Sequence, residues 1–199
     1  MERFVLASNN KKKMKEMRRI LEPLGFEVVT VADAGFEPVD VEENGSTFEQ
    51  NAYIKAKAIC EYTKFPSIAD DSGLCVDFLD GQPGIYSARF GGEGLDDTGR
   101  YELLLQKLAG VPKEKRGAQF VCSICCVYPD GKVIRANGVC KGFISEKPSG
   151  NGGFGYDPVF LLPDGRCFAE ISDEQKDLFS HRGLALREFA EKMTGKVEN

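Results

Sequence analysis

The sequence predicts an α/β fold, and three observations carry that reading. Short β-branched and aromatic runs alternate with segments of helical apolar spacing along the 199-residue chain. Glycine and proline punctuate the joins. Two long strand-like runs, 118–128 and 133–144, meet at Pro129-Asp130-Gly131-Lys132, a hairpin that argues against an all-parallel sheet. The length suits one large domain, or two lobes sharing a core. A hydrophobic content of 42% with 29% charged residues indicates a packed chain rather than a disordered one.

Each element has its own signal. Residues 3–7 read as a short buried strand. Lys11 to Leu24 reads as a helix, because Met14, Met17, Leu21 and Leu24 fall on one stripe, and Gly25 ends it. Residues 26–31 read as a second strand. Thr47 to Tyr62 reads as a helix with Phe48, Ala52, Ala56 and Ile59 as its apolar face; Ser46 with Glu49, or Thr47 with Gln50, makes a capping box. Ser67 to Ala69 reads as a strand, which Leu74 to Leu79 continues or pairs against. Asp80 to Gly84 is a turn. Asp97 to Leu108 is a third helix with Tyr101, Leu104, Leu105 and Leu108 as its stripe and Gly110 as its stop. Pro158 to Leu162 and Cys167 to Ile171 read as short strands. The C-terminal stretch is helical, with Ser172 and Ser180 as caps and Leu186, Phe189, Ala190 and Met193 lining its second piece.

Charge and cysteine usage narrow the function. With 26 basic and 31 acidic residues the net charge is −5, which argues against a nucleic-acid binder that lives on phosphate neutralisation. An anionic substrate must then be held by local positive charge. The N-terminus enters a strand at once, without a signal-peptide pattern, and no apolar stretch reaches about 18 residues, so a cytoplasmic protein without a membrane span is expected. The seven cysteines form no regular framework. Cys122 and Cys125 form a C-x-x-C inside a strand-like run. Residues three apart on a strand point to opposite faces, so these thiols are expected to be small core residues, not a zinc site.

The most informative stretch is Ile68-Ala69-Asp70-Asp71-Ser72-Gly73-Leu74. Two adjacent carboxylates where a hydrophobic strand runs out repel each other, and partial burial sharpens the conflict. A divalent cation removes it, with one acid left to handle a proton. The alternative is a solvated Asp-Ser-Gly turn. Four other segments carry chemistry. Ser8-Asn9-Asn10-Lys11-Lys12-Lys13 places three lysines in a helix's first turn, where the macrodipole prefers acids. That favours an anion such as phosphate over plain solvated lysines. Glu42-Glu43 precede the second helix, either as dipole-favouring acids or as ligands. Asn51 and Lys55 share a face of that helix, where Lys55 also reads as a snorkelling lysine. Gly150 to Pro158 contains a formal G-x-G-x-x-G, but a strand, not a helix, is expected after it, so a dinucleotide reading is rejected. Its Phe154 and Tyr156 suit a flat ring, unless the loop is simply flexible. Lys176 with His181 and Arg182 offers donors to carbonyl and phosphate oxygens.

Together these segments resemble the inosine triphosphatase-like family. The landmarks are Ser8-Asn9-Asn10-x-x-Lys13-x-x-Glu16, Thr47-Phe48-x-x-Asn51-Ala52-x-x-Lys55-Ala56 and Ala69-Asp70-Asp71-Ser72-Gly73-Leu74. Pro83-Gly84-Ile85-Tyr86-Ser87-Ala88-Arg89, Gly153-Phe154-Gly155-Tyr156-Asp157-Pro158 and Ser180-His181-Arg182 complete the set. The resemblance implies a single two-lobed domain over 1–199, built on an elongated mixed β-sheet with an active-site cleft between the lobes, in a homodimer. It implies Mg²⁺-dependent hydrolysis of ITP, dITP and XTP to the monophosphate and pyrophosphate. It implies Asp71 as general base and metal ligand, and Glu42 as a second ligand, with Glu43 or Asp70 as secondary candidates. Ser8, Asn9, Asn10, Lys11, Lys12, Lys13 and Ser72 are implied triphosphate contacts, with Lys55 added to the substrate set. Phe154, Gly155, Tyr156, Asp157, Lys176, His181 and Arg182 are the implied nucleoside pocket.

Physical chemistry fits those implications. Hypoxanthine and xanthine carry an oxygen at C6 where adenine carries an amino group, so donors such as Lys176, His181 or Arg182 would be left unpaired by adenine. The acids Asp70, Asp71 and Glu42 argue against a non-hydrolysing nucleotide sensor, and the lack of a Walker A or kinase loop argues against γ-phosphate transfer.

Overall fold

In the computed structural model, which describes residues 2–195, β1 (Glu2–Leu6) lies between β2 (Phe26–Thr30) and β3 (Ser67–Val76) and runs parallel to both. The order continues through β4 (Gly117–Val127), β5 (Val133–Ile144) and β6 (Phe160–Leu161) in one six-stranded sheet. β6 is antiparallel to β5. The sheet is therefore mixed, and with five interleaved α-helices among the described residues the class is α/β, as expected. The helices are α1 (Lys11–Leu21), α2 (Phe48–Thr63), α3 (Asp97–Lys107), α4 (Asp173–Asp177) and α5 (His181–Thr194).

The chain divides into two compact units. The first comprises residues up to Asp71, Cys122–Gly138 and the chain from His181 onward. Side chains alternate along β1 and the residue after it: Phe4 and Leu6 join a core with Met17, Leu21, Leu186 and Phe189, while Val5 and Ala7 join a second core with Ala52, Ala56 and Ile59. So α1 and α5 cover one face and α2 the other. The Phe4 and Phe189 rings meet edge to face, 5.7 Å apart. Phe189→Ala would destabilise this core by about 3–5 kcal/mol. The same alternation divides the C-x-x-C as predicted: Cys122 packs in the first core and Cys125 in the second. Burial pushes both thiols up, Cys122 to about 12 and Cys125 to about 11, which keeps them protonated.

The second unit comprises Ser72–Val121 and Val139–Ser180. Its core gathers Leu74, Val76, Leu104, Leu108, Val159 and an aromatic group. Phe160 sits 4.7 Å from Phe120 and 4.8 Å from Phe168, centroid to centroid.

Several boundaries differ from expectation, each for a local reason. α1 stops at Leu21 because Pro23 cannot continue it; a 3₁₀ turn over Glu22–Leu24 follows, and Leu24 is exposed instead of completing the stripe. Gly25 ends that turn at φ 93°, the left-handed conformation open to glycine. Of the two capping-box candidates, Thr47 is the cap of α2, accepting from Gln50 N. Gln50 reaches back to Ser46 N, one residue beyond the standard partner. Residues 168–170 form a 3₁₀ turn rather than the strand expected over 167–171, leaving one isolated bridge, Leu161 to Cys167. Ala169 O instead accepts from Gly152 N, drawing this backbone to the glycine-rich loop.

Candidate active site

The acid pair does not sit where a strand runs out: β3 runs straight through it from Ser67 to Val76. Strand alternation therefore separates the two carboxylates. Ile68 packs in the α1/α5 core and Ala69 in the α2 core, and Asp70 and Asp71 follow the same two sides. The conflict between adjacent like charges is relieved by sending them to different cations.

Asp70 is fully buried. Its Oδ2 accepts from Lys13 Nζ at 3.0 Å and from Arg182 Nε and Nη2 at 3.2 and 3.1 Å. Arg182 Nη1 also pairs with Glu16 Oε2. Burial pushes the Asp70 carboxyl up, but the Lys13 ammonium and the Arg182 guanidinium outweigh it and hold the group well below its ordinary 3.8. Arg182 is stabilised as a cation in turn: Asp70 and Glu16 overcome the penalty of its burial.

Asp71 keeps a little exposure and meets side chains of α2. Asn51 Nδ2 donates to Asp71 Oδ2 at 3.1 Å. Lys55 Nζ lies 3.6 Å from Asp71 Oδ1 and 3.1 Å from Glu43 Oε2. Here burial, helped by the Glu43 charge, wins over Lys55, and the Asp71 carboxyl is raised above its ordinary 3.8. A carboxylate with raised proton affinity is a better base than one in water. Lys55 is thus an ion-pairing residue shared by two acids, more than a snorkelling one.

Among the described residues no group of three or more His, Cys, Asp or Glu side chains forms a metal site. Mg²⁺ does not require one, since it takes one or two carboxylates with waters and phosphate oxygens. Asp71 and Glu43, joined through Lys55, are a hard oxygen donor pair of that kind. Glu42 is exposed. It is Glu43, the secondary candidate, that the structure brings beside Asp71.

The start of α1 is a capped helix end. Asn10 Oδ1 accepts from Lys12 N and Lys13 N, and Ser8 Oγ accepts from Asn10 N. Asn9 Nδ2 donates to Asp40 Oδ1 at 3.4 Å. Lys11 and Lys12 are exposed, whereas Lys13 turns inward to Asp70. The ion pair with Asp70 is the partner that the lysine run asked for, at least for Lys13. Ser72 follows the acids on β3, half-buried.

In the second unit the glycine-rich loop is fixed around Asp157. Asp157 Oδ2 accepts from Phe154 N at 2.8 Å and from Lys176 Nζ at 2.6 Å. The Lys176 ammonium lies 5.2 Å from the Phe154 ring centroid. Gly153 must be glycine: its φ is +73°, and a Cβ there would lie 2.1 Å from Asp157 Oδ2. Gly155 N donates to Asp97 Oδ2 at 2.9 Å. Tyr156 is buried, with its hydroxyl donating to Ser87 O, so Phe154 is the aromatic left half-exposed.

His181 and Arg182 open α5 in the first unit, whereas Phe154 to Asp157 and Lys176 belong to the second. Both His181 and Arg182 are buried. The structure commits Arg182 to Asp70 and Glu16, a role that sequence reasoning missed. The Lys13-x-x-Glu16 spacing, three apart on one helix face, was the available signal. The sequence singles out Asn51 beside Lys55 but not its bond to Asp71, and it gives no sign of Asp97, because a hydrogen bond between distant segments leaves no local trace.

Fold and site define an α/β protein carrying a lysine-compensated carboxylate pair, equipment suited to metal-assisted phosphoryl chemistry. The chain belongs to the Ham1 family, whose sequence model matches residues 4–192. It is 48% identical over 191 residues to a dITP/XTP pyrophosphatase of Desulforamulus reducens, covering 95% of this chain and 94% of the relative. It is 41% identical over 191 residues to a dITP/XTP pyrophosphatase of Bacillus subtilis, covering 96% of each. The Ham1 protein of Staphylococcus aureus has a similar solved structure, with a TM-score of 0.87 at 39% identity, covering 98% of this chain and 100% of the other. A HAM1 protein from Coxiella burnetii gives a TM-score of 0.88 at 36% identity, with the same coverage.

Proposed function

We propose that this chain hydrolyses dITP, XTP and ITP to the nucleoside monophosphate and pyrophosphate. The single observation that carries the reading is the Asp71 carboxylate, raised in proton affinity and oriented by Asn51 and Lys55. The dITP/XTP pyrophosphatases similar to it over nearly the whole chain support the substrate class.

In this reading Asp71 takes the proton of a water attacking the α-phosphorus. Asp71 with Glu43, or with Glu42 as first expected, would hold Mg²⁺. Bound there, the ion would neutralise charge on the phosphates and on the departing pyrophosphate. Lys55 offsets part of the repulsion between the two acids. Ser8 to Lys13 and Ser72 contact the triphosphate, Lys11 and Lys12 being exposed residues of that run. Phe154 stacks on the purine, while Lys176 supplies the donor for the C6 oxygen from its place on Asp157. The homodimer and cytoplasmic location implied by the resemblance belong to the same proposal. No described helix is long and apolar enough to cross a membrane.

The test is product identification. Incubation with dITP, XTP, ITP, dATP and dGTP in the presence of Mg²⁺ should give pyrophosphate and monophosphate from the first three. Orthophosphate with a diphosphate, or no turnover of any of the three, overturns the proposal.

A further inference from the structure

We propose that Asn51 is a positioning residue that clamps the acid-bearing loop and the Asp71 carboxylate in one geometry. Asn51 is buried on α2, with 1% of its surface exposed. Its side-chain amide has two neighbours from segments far apart in sequence. Nδ2 donates to Asp71 Oδ2 at 3.1 Å on β3, and Oδ1 accepts from Gly45 N at 2.8 Å in the loop carrying Glu43.

The two ends cannot be exchanged. An ionised carboxylate only accepts and a backbone N–H only donates, so one face of Asn51 must be NH₂ and the other must be oxygen. Asparagine offers both at this reach. Aspartate would still accept from Gly45 but would face Asp71 with a like charge. Gly45 is fitted to the clamp: a Cβ there would lie 2.6 Å from Asn51 Oδ1. The neighbouring bond from Ser46 N to Gln50 Oε1, 2.8 Å, ties the same loop to the same helix turn. Glu43 is two residues before Gly45, and Lys55, one turn after Asn51, receives both Glu43 and Asp71. Asn51 thereby sets the loop and the carboxylate that Lys55 then bridges.

This inference rests on the proposed role of Asp71, but the clamp can be read without activity. Asn51→Ala and Asn51→Asp are compared with the unsubstituted enzyme by kcat, KM and amide hydrogen exchange at Gly45. Residues that orient a catalytic group typically change activity about 10- to 100-fold. Asn51→Asp should therefore keep Gly45 protected while kcat falls at least about tenfold and KM for dITP moves less than about threefold. Asn51→Ala should lose both the Gly45 protection and kcat. Unaltered Gly45 exchange in Asn51→Ala overturns the clamp. So does a kcat within about twofold of the original in Asn51→Asp, which would leave Asn51 holding the loop alone. If Asn51→Asp does not fold, thermal melts of Asn51→Ala, Asp71→Ala and the double variant decide. Non-additive losses support the clamp and additive ones reject it. If the unsubstituted enzyme releases no pyrophosphate, the functional reading fails, while exchange and melts still decide the clamp.

Discussion

Asp70 and Asp71 are neighbours in β3 whose carboxyl groups are driven in opposite directions. Asp70, against Lys13 and Arg182, is held below its ordinary 3.8, and Asp71, beside Glu43 in a partly desolvated place, is raised above it. One is held more firmly as an anion, and the other holds its proton more tightly than in water.

That difference predicts opposite effects on stability. Asp70 has a depressed value, so its contribution is present above pH 3.8 and is lost as pH falls through its folded value. Asp71 has a raised value, so the folded state binds the proton more tightly, and stability falls as pH rises through the window above 3.8. Asp70→Asn should destabilise the chain by about 3–5 kcal/mol at neutral pH, because it strands buried cations, and should flatten the acid limb. Asp71→Asn should remove the decline above 3.8. Urea unfolding across pH without added metal reads both.

Activity should divide the same pair. Asp71→Asn should lower kcat by about 10²- to 10⁴-fold with dITP binding nearly intact, since the phosphate contacts are assigned elsewhere. Steady-state pyrophosphate release with equilibrium binding checks this. A variant keeping more than about a tenth of the original kcat would remove Asp71 from the role of base.

Lys55→Met would leave Glu43 and Asp71 facing each other without their shared ammonium. The Asp71 carboxyl should then rise further, moving the acid limb of kcat/KM to higher pH by about one unit. A pH–rate profile of the variant against the original is the measurement.

Much of this was legible in the sequence, for physical reasons. Apolar spacing located β1, α2 and α5, because their core faces repeat with the period of the element. The acid pair stood out because adjacent carboxylates in an apolar run need compensation. The compensation itself was not legible: Arg182 lies 112 residues from Asp70, and nothing local links them. The family resemblance therefore stands alone in placing Arg182 with the base, and it likewise ranks Glu42 above Glu43. The end of α1 was misjudged because the apolar stripe, continued through Leu24, outweighed Pro23.

Lys176 bears on selectivity. Its ammonium is held by Asp157 at 2.6 Å beside the Phe154 ring. Lys176→Met should reduce the preference for dITP over dATP in kcat/KM by at least about tenfold, mainly by weakening dITP. Equal losses for the two nucleotides would give Lys176 to phosphate rather than to the base.

The central claim is that a water aimed by Asp71 attacks the α-phosphorus. Hydrolysis of dITP in ¹⁸O-water, followed by mass spectrometry of both products, tests it most directly. The account predicts the label in dIMP and none in pyrophosphate. Label in pyrophosphate would place the attack on the β-phosphorus and contradict it.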